Sequence, residues 1–206
     1  MLFELFFQLK DSFGPFNVFR YVSFRVLASM ATALLICLWS YPWFIDKLRG
    51  SDVGQVIRED GPESHFNKEG TPTMGGVLIL FSVVLSTLLW ADLTNQYIGV
   101  ILGVTVLFAV VGFLDDYTKL KEQSSGGVSG KVRLAMEFAV ALSAMLLIFY
   151  SNAFDYSTTL YFPFVSTERF SLTLPLWLYV PFALTVIVGT ANAVNLTDGL
   201  DGLAIG

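Results

Sequence analysis

The chain is 206 residues long; 54% of its residues are hydrophobic and only 14% are charged. Because a soluble globular domain carries about a quarter charged residues, this composition excludes an ordinary soluble domain and indicates a polytopic membrane protein. The formal net charge of -5, without a basic stripe, argues against nucleic acid as a partner.

The first 24 residues are predicted to lie along the membrane surface, because charged residues and Gly14-Pro15 interrupt an aromatic run. Five charge-poor stretches follow, each close to the ~20 residues that cross a bilayer's hydrocarbon. These predicted spans are 26–45, 70–91, 93–114, 134–153 and 174–194.

The spans predict an all-α fold, a polytopic transmembrane helix bundle with about five spans and an interfacial N-terminal helix. The start of a sixth span is expected at Leu203, so we expect residues 1–206 to be a single integral membrane domain and the N-terminal part of a longer protein. The fourth span contains one acid, Glu137, which we interpret as an interfacial side chain rather than a catalytic one. The single cysteine, Cys37, excludes a disulfide framework within these residues.

The basic residues predict the orientation of the spans. Eight of the 12 lie in the loops after the first and third spans: Lys47, Arg49, Arg58, Lys68, Lys119, Lys121, Lys131 and Arg133. By the positive-inside rule these two loops face the cytoplasm. Three polar segments, 60–76, 112–119 and 192–204, then lie at cytoplasmic ends of spans, where they can line a water-accessible cleft.

The second polar segment contains two neighbouring carboxylates, Asp115 and Asp116. At the end of an apolar helix such a pair is mutually repulsive, and a divalent cation relieves that repulsion. Hard oxygen ligands suit Mg²⁺ bound jointly with phosphate oxygens. The alternative interpretation is a solvated helix end without a ligand.

The third polar segment places Asn192, Asn195, Asp198 and Asp201 at steps of three residues. On an unbroken α-helix these positions drift by about 60° per step, so convergence of all four requires a break, which the glycines that follow the two aspartates allow. The alternative is a polar loop of ordinary turn residues.

The first polar segment opens a helix with Thr73 and two glycines, and helix starts with accessible N–H groups bind phosphate. Lys68 adds positive charge for a nucleotide or diphosphate. Helix capping and close packing explain the threonine and glycines equally. The basic residues after the third span have a second interpretation too, as topology signals or contacts to anionic membrane lipid.

The three segments resemble a known family, the bacterial phospho-N-acetylmuramoyl-pentapeptide transferases, called the MraY family. The resemblance is carried by GPESHFNKEGTPTMGG at 61–76, GFLDDY at 112–117 and NAVNLTDGLDGLA at 192–204. The first and third motifs are long and specific, whereas the aspartate pair is shared by the wider superfamily of polyprenyl-phosphate sugar-1-phosphate transferases.

The resemblance implies an Mg²⁺-dependent phosphotransferase of the bacterial cytoplasmic (inner) membrane, with its active site on the cytoplasmic face. The implied reaction moves phospho-N-acetylmuramoyl-pentapeptide from UDP-N-acetylmuramoyl-pentapeptide to undecaprenyl phosphate, giving lipid I and UMP in peptidoglycan synthesis. Membrane lipid is an expected partner, and a homodimer is one assembly that the resemblance allows.

Carried over residue by residue, the resemblance implies a catalytic and metal-binding role for Asp115 and Asp116. One of them deprotonates or orients the lipid phosphate and the other helps to hold the site. The implied substrate-binding residues are Lys68, Thr73, Lys119, Lys131, Asn192, Asn195, Asp198 and Asp201.

The family's later half supplies a further metal-binding aspartate and a histidine-rich loop, which these 206 residues lack; we therefore expect them to be inactive alone. Two alternatives to the implied function stay open. One is a related enzyme that transfers N-acetylglucosamine-1-phosphate to a polyprenyl phosphate, and the other is a non-catalytic membrane scaffold.

Overall fold

The computed structural model describes residues 2–49, 75–122, 126–151, 154, 156–166 and 170–197. Its helices are α1 (Leu2–Gln8), α2 (Val22–Arg49), α3 (Gly76–Trp90), α4 (Gln96–Glu122), α5 (Gly130–Tyr150) and α6 (Leu176–Thr197). Two 3-10 segments, Leu9–Asp11 and Gly14–Arg20, lie between α1 and α2. Strands β1 (Thr159–Tyr161) and β2 (Ser171–Thr173) lie between α5 and α6.

Four of these helices, α2, α4, α5 and α6, are long and apolar enough to cross a membrane. They confirm the predicted all-α polytopic class. α3 is apolar but has 15 residues, about 22 Å at 1.5 Å per residue, which is less than the ~30 Å hydrocarbon core. The start of the predicted second span, at 70–74, and the apolar run from Leu203 lie outside the described residues.

The long helices extend past the predicted spans. α4 continues to Glu122 rather than ending at residue 114, and α2 covers Val22–Arg49 rather than 26–45. The predicted spans ended at the first charges, whereas α4 continues through its aspartates into Lys119, Lys121 and Glu122, which have good helix propensity. Asp115 and Asp116 therefore lie inside α4, two turns before its end.

The chain divides into two compact units, residues 1–130 and 131–206. In the first unit α2 and α3 pack antiparallel. Trp90 Nε1 donates to Thr32 Oγ1 at 3.0 Å, and Cys37 Sγ donates to Ser82 Oγ at 3.2 Å. Ser82 is 0% exposed, and a side chain this small lets two apolar helices approach closely.

Aromatic contacts fix the amino-terminal segment of the first unit. The Phe6 ring lies 5.0 Å from Phe16 and 4.7 Å from Phe19, between ring centroids. Phe19 in turn stacks on Trp90 of α3 at 5.8 Å and an interplanar angle of 4°. The short α1 is thus attached to the α2–α3 pair at the end where Trp90 lies.

A tight turn joins α3 to α4 in the first unit. Asp92 Oδ1 accepts hydrogen bonds from Thr94 N at 3.1 Å and from its Oγ1 at 2.6 Å. Asn95 Oδ1 accepts from Tyr97 N at 3.0 Å, the usual N-cap arrangement that satisfies a free helix N–H. These two side chains end the turn and begin α4.

The second unit contains α5, α6 and a small antiparallel sheet that the sequence analysis did not predict. Thr159 pairs with Thr173 and Tyr161 with Ser171. Three-residue strands are too short to show the alternating pattern of a strand. Phe149 of α5 contacts Tyr179 of α6 at 6.1 Å between ring centroids.

We predict that Ser82→Leu destabilises the α2–α3 pair. The larger side chain has no space beside Cys37 and costs about 1–3 kcal/mol of overpacking. Thermal denaturation of the purified protein measures this as a lower Tm. Val83→Leu, at a neighbouring position that is 41% exposed, is the matched control, and equal Tm values for the two variants would contradict the packing.

Candidate active site

The two neighbouring carboxylates of α4 have different environments. Asp115 is 6% exposed, whereas the Asp116 side chain is 42% exposed. Successive residues of a helix point about 100° apart, so one carboxylate faces the protein and the other faces outward. Asp116 is therefore the accessible member of the pair.

Both oxygens of the Asp115 carboxylate have partners. Its Oδ2 lies 2.6 Å from Lys119 Nζ, and its Oδ1 accepts a hydrogen bond from Val128 N at 2.9 Å. Lys119 is four residues later, on the same face of α4. The carboxylate thus connects the end of α4 to the segment before α5.

Gly127 brings the backbone against Asp115. Its φ is +58°, and a Cβ placed there would lie 2.4 Å from Asp115 Oδ1 and 2.8 Å from Lys119 Cε. Both the left-handed conformation and the absence of a side chain are needed. Glycine is therefore required for the Val128 N–H to reach the carboxylate.

Lys119 also contacts the second carboxylate, because its Nζ lies 3.5 Å from Asp116 Oδ1. One ammonium group thus lies near both acids and reduces their repulsion. The sequence analysis assigned that effect to a divalent cation; the structure shows that a lysine contributes to it.

The oxygen donors of Asp115 and Asp116 fit Mg²⁺. Mg²⁺ usually takes only one or two carboxylates from the protein and completes its shell with phosphate oxygens and water. Among the described residues no group of three or more His, Cys, Asp and Glu side chains forms a metal site. Of the pair, Asp116 has the more exposed oxygens.

A second polar cluster joins α5 to α6 in the second unit. Arg133 Nε donates to Glu137 Oε1 at 3.2 Å, and its Nη2 donates to Asn192 Oδ1 at 2.7 Å. Asn192 Nδ2 donates to Glu137 Oε2 and, at 2.9 Å, to Val188 O. Glu137 is 5% exposed, so it is a buried, bonded acid rather than the interfacial side chain we expected.

Asn195 contacts the same guanidinium. With its amide oxygen turned toward Arg133, Asn195 Oδ1 accepts from Nη1 and Nη2 at 3.1 Å each. α6 is continuous through Thr197, so the two asparagines lie one turn apart on one helix. Asn195 is exposed, whereas the Asn192 amide is engaged on both sides.

The structure brings the predicted site residues into two groups. Asp115, Asp116 and Lys119 are in contact in the first unit, and Asn192 and Asn195 share Arg133 in the second. Lys131 is exposed in the first turn of α5. Four predicted substrate-binding residues lie outside the described residues: Lys68, Thr73, Asp198 and Asp201.

The pairing of Arg133 with Glu137 was not predicted from the sequence. The available signal was their spacing of four residues, which places opposite charges on one face of a helix, at the start of an otherwise charge-poor span. Arg133 was interpreted as a topology signal or a contact to anionic membrane lipid. The role of Gly127 was missed too, because a flexible loop and a required close approach look alike in sequence.

Comparison with known proteins agrees with the motifs. Residues 97–206 match the model of glycosyl transferase family 4. Residues 68–80 match signature 1 of phospho-N-acetylmuramoyl-pentapeptide-transferase.

Curated relatives match the whole chain. It is 52% identical to the phospho-N-acetylmuramoyl-pentapeptide-transferase of Syntrophus aciditrophicus over 206 residues, which are 100% of this chain and 56% of the relative. The proteins of the same name from Desulforapulum autotrophicum and Sorangium cellulosum are 48% and 44% identical, again over 100% of this chain and over 56% and 57% of their own lengths.

The chain thus spans about half the length of the curated relatives it matches. The family model covers more than half of the chain, and it includes the aspartate pair of α4 and the asparagines of α6. The chain belongs to glycosyl transferase family 4, and the relatives that match all of it are phospho-N-acetylmuramoyl-pentapeptide-transferases.

Proposed function

We propose that the protein containing these residues transfers phospho-N-acetylmuramoyl-pentapeptide from its UDP derivative to undecaprenyl phosphate, giving lipid I and UMP. The observation that carries the proposal is the Asp115–Asp116–Lys119 group at the end of a membrane-spanning helix. The names of the relatives support the identity of the sugar donor.

The reaction joins a substrate held in the membrane to a substrate dissolved in water. The polyprenyl phosphate arrives in the membrane, and the UDP-sugar arrives in water. An oxygen of the lipid phosphate attacks the sugar-bearing phosphorus of the donor, the bond from that phosphorus to the bridging oxygen breaks, and UMP leaves. Phosphoryl transfer of this kind depends on positioning and charge stabilisation more than on covalent chemistry by the protein.

The environments of the two aspartates suggest separate roles. Asp116 is exposed and is the candidate to orient or deprotonate the lipid phosphate. Asp115 is fixed by Lys119 and Val128 and holds the lysine ammonium in place. Both carboxylates would hold Mg²⁺, which supplies positive charge to the donor diphosphate.

The remaining candidate residues bind the donor in this proposal. Lys119 and Lys131 provide positive charge for the diphosphate, and the asparagines of α6 form part of a polar wall for the nucleoside and sugar. Of these, Asn195 has the more accessible amide. The other proposed members of the donor site are Lys68, Thr73, Asp198 and Asp201.

The long apolar helices place the protein in a membrane as a multi-pass protein. We propose the bacterial inner membrane, with the α4 end that carries the aspartates on the cytoplasmic side. The loops rich in lysine and arginine support this orientation, and a UDP-linked donor requires it, since nucleotide sugars are polar and do not cross the hydrocarbon.

Two other functions remain as rivals. A transferase for N-acetylglucosamine-1-phosphate would share the aspartate pair, but the match of residues 68–80 to the transferase signature favours the muramoyl donor. Supplying each UDP-sugar to the full-length protein distinguishes the two. If the protein is a scaffold without catalysis, the full-length wild type will form no lipid I with either UDP-sugar.

We predict that Asp116→Asn in the full-length protein lowers lipid I formation by about 100-fold or more, because the amide cannot take a proton from the lipid phosphate. Membrane insertion should be unchanged, since Asp116 is exposed. Asp46→Asn, at an exposed acid near the end of α2, is the control and should keep full activity. Full activity of Asp116→Asn would contradict the role proposed for Asp116.

The orientation of α4 is testable with single cysteines. In a Cys37→Ser background, we expect Lys121→Cys to react with a membrane-impermeant thiol reagent only after permeabilisation. Thr94→Cys, before the other end of α4, should react in intact spheroplasts. The Cys37→Ser background without an added cysteine is the control for label elsewhere, and the reverse pattern would place the aspartates on the outer face.

We predict that residues 1–206 alone form no lipid I, because they span only about half of the relatives. Purified residues 1–206 and the full-length protein are assayed with the same substrates. Product from the shorter chain would show that these residues contain a complete site.

A further inference from the structure

The cluster that joins α5 to α6 contains a buried acid that the proposed mechanism does not use. Glu137 is on a helix that is long and apolar enough to cross a membrane, and it is 5% exposed. A buried carboxylate is costly unless a counter-charge and hydrogen bonds compensate it. Its place in the structure therefore depends on the partners that surround it.

These partners form a closed ring of three side chains. Glu137 accepts from Arg133 Nε and from Asn192 Nδ2, and Asn192 Oδ1 accepts from Arg133 Nη2. Each member contacts the other two. Such a ring admits one arrangement of donors and acceptors, which fixes the direction of the guanidinium.

With its amide oxygen turned toward Arg133, Asn195 also accepts from Nη1 and Nη2 of this guanidinium at 3.1 Å each. Asn195 is exposed and lies one turn closer to the end of α6 than Asn192. Arg133 therefore links the buried carboxylate of Glu137 on α5 to the exposed amide of Asn195 on α6.

We propose that Glu137 is a positioning residue for the donor site. It holds Arg133 so that the guanidinium sets the amide of Asn195 and the rotation of the last turns of α6. This inference rests on the proposed function, because it takes Asn195 as part of the wall that contacts the UDP-sugar.

The negative charge of Glu137 offsets the positive charge of Arg133, and this determines the role of the guanidinium. A planar guanidinium suits paired hydrogen bonds, and here Glu137 neutralises it within the same helix. Arg133 is thereby a structural donor to two asparagines rather than a ligand for the donor's diphosphate. Residues that orient the contacting groups commonly cost 10- to 100-fold in activity or affinity when changed.

The test uses Glu137→Gln in the full-length protein. An amide at 137 turns a donor toward Asn192 Nδ2 and removes the carboxylate that accepts from Arg133 Nε. We expect KM for the UDP-sugar to rise about tenfold with kcat changed by less than about threefold. Glu4→Gln, the same substitution at an exposed acid, should match the wild type.

A reciprocal exchange separates positioning from simple loss of stability. In Glu137→Gln/Asn192→Asp the new amide can donate to the new carboxylate, and Arg133 keeps one negative partner. We expect the donor KM to return to within about threefold of the wild type. Failure of this exchange to lower KM would overturn the proposal.

A third measurement examines the path through Asn195. In an Asn195→Ala background, Glu137→Gln should raise the donor KM no further, because coupled residues are non-additive. Full additivity would overturn the proposal. A lower KM in Glu137→Gln alone would also overturn it, since it would mean that the released Arg133 binds the diphosphate.

Binding of UMP to the same variants, measured by calorimetry, does not require turnover. We expect Glu137→Gln to bind UMP more weakly than the wild type, and Glu137→Gln/Asn192→Asp to recover most of that affinity. A wild-type full-length protein that binds UMP with this pattern but forms no lipid I would contradict the proposed function and still support the positioning role. Normal lipid I formation by the wild type, with no change in donor KM or UMP affinity in Glu137→Gln, would support the proposed function and contradict the positioning role.

Discussion

Charged side chains on apolar helices need partners within the protein, because hydrocarbon supplies none. Both polar clusters follow this constraint. Asp115 is paired with Lys119 and a backbone N–H, and Glu137 is paired with Arg133 and Asn192. In each case a base four residues away on the same helix supplies the counter-charge, and a group from another segment supplies a hydrogen bond. The same bonds that satisfy the acids therefore also join segments of the chain.

The two clusters leave different groups accessible. In the first, the buried carboxylate holds a lysine, and the next residue along α4 presents an exposed carboxylate. In the second, the buried carboxylate holds an arginine, and the exposed group is an amide. An exposed acid near a lysine suits phosphate and metal chemistry, and an exposed amide suits recognition of a nucleoside or sugar. This division agrees with the roles in the proposed transferase.

Hydropathy was sufficient to predict four of the spans and the all-α class, since apolar runs of this length have few other uses. It misplaced helix ends, because α4 runs through Asp115 and Asp116 to Glu122. Neighbouring carboxylates suggested a site, but which of them is exposed depends on packing that a linear sequence does not contain. The pairing of Asn192 with Glu137 joins residues 55 positions apart, which spacing within one helix cannot reveal.

The contact between the Val128 amide and Asp115 gives the protein an internal reporter. The glycine before it, with φ of +58°, leaves no room for a side chain at that position. Any event that withdraws the carboxylate, such as capture of its oxygens by a cation, leaves that amide proton without its acceptor. Its chemical shift and its exchange with solvent would then report whether the carboxylate oxygens are occupied.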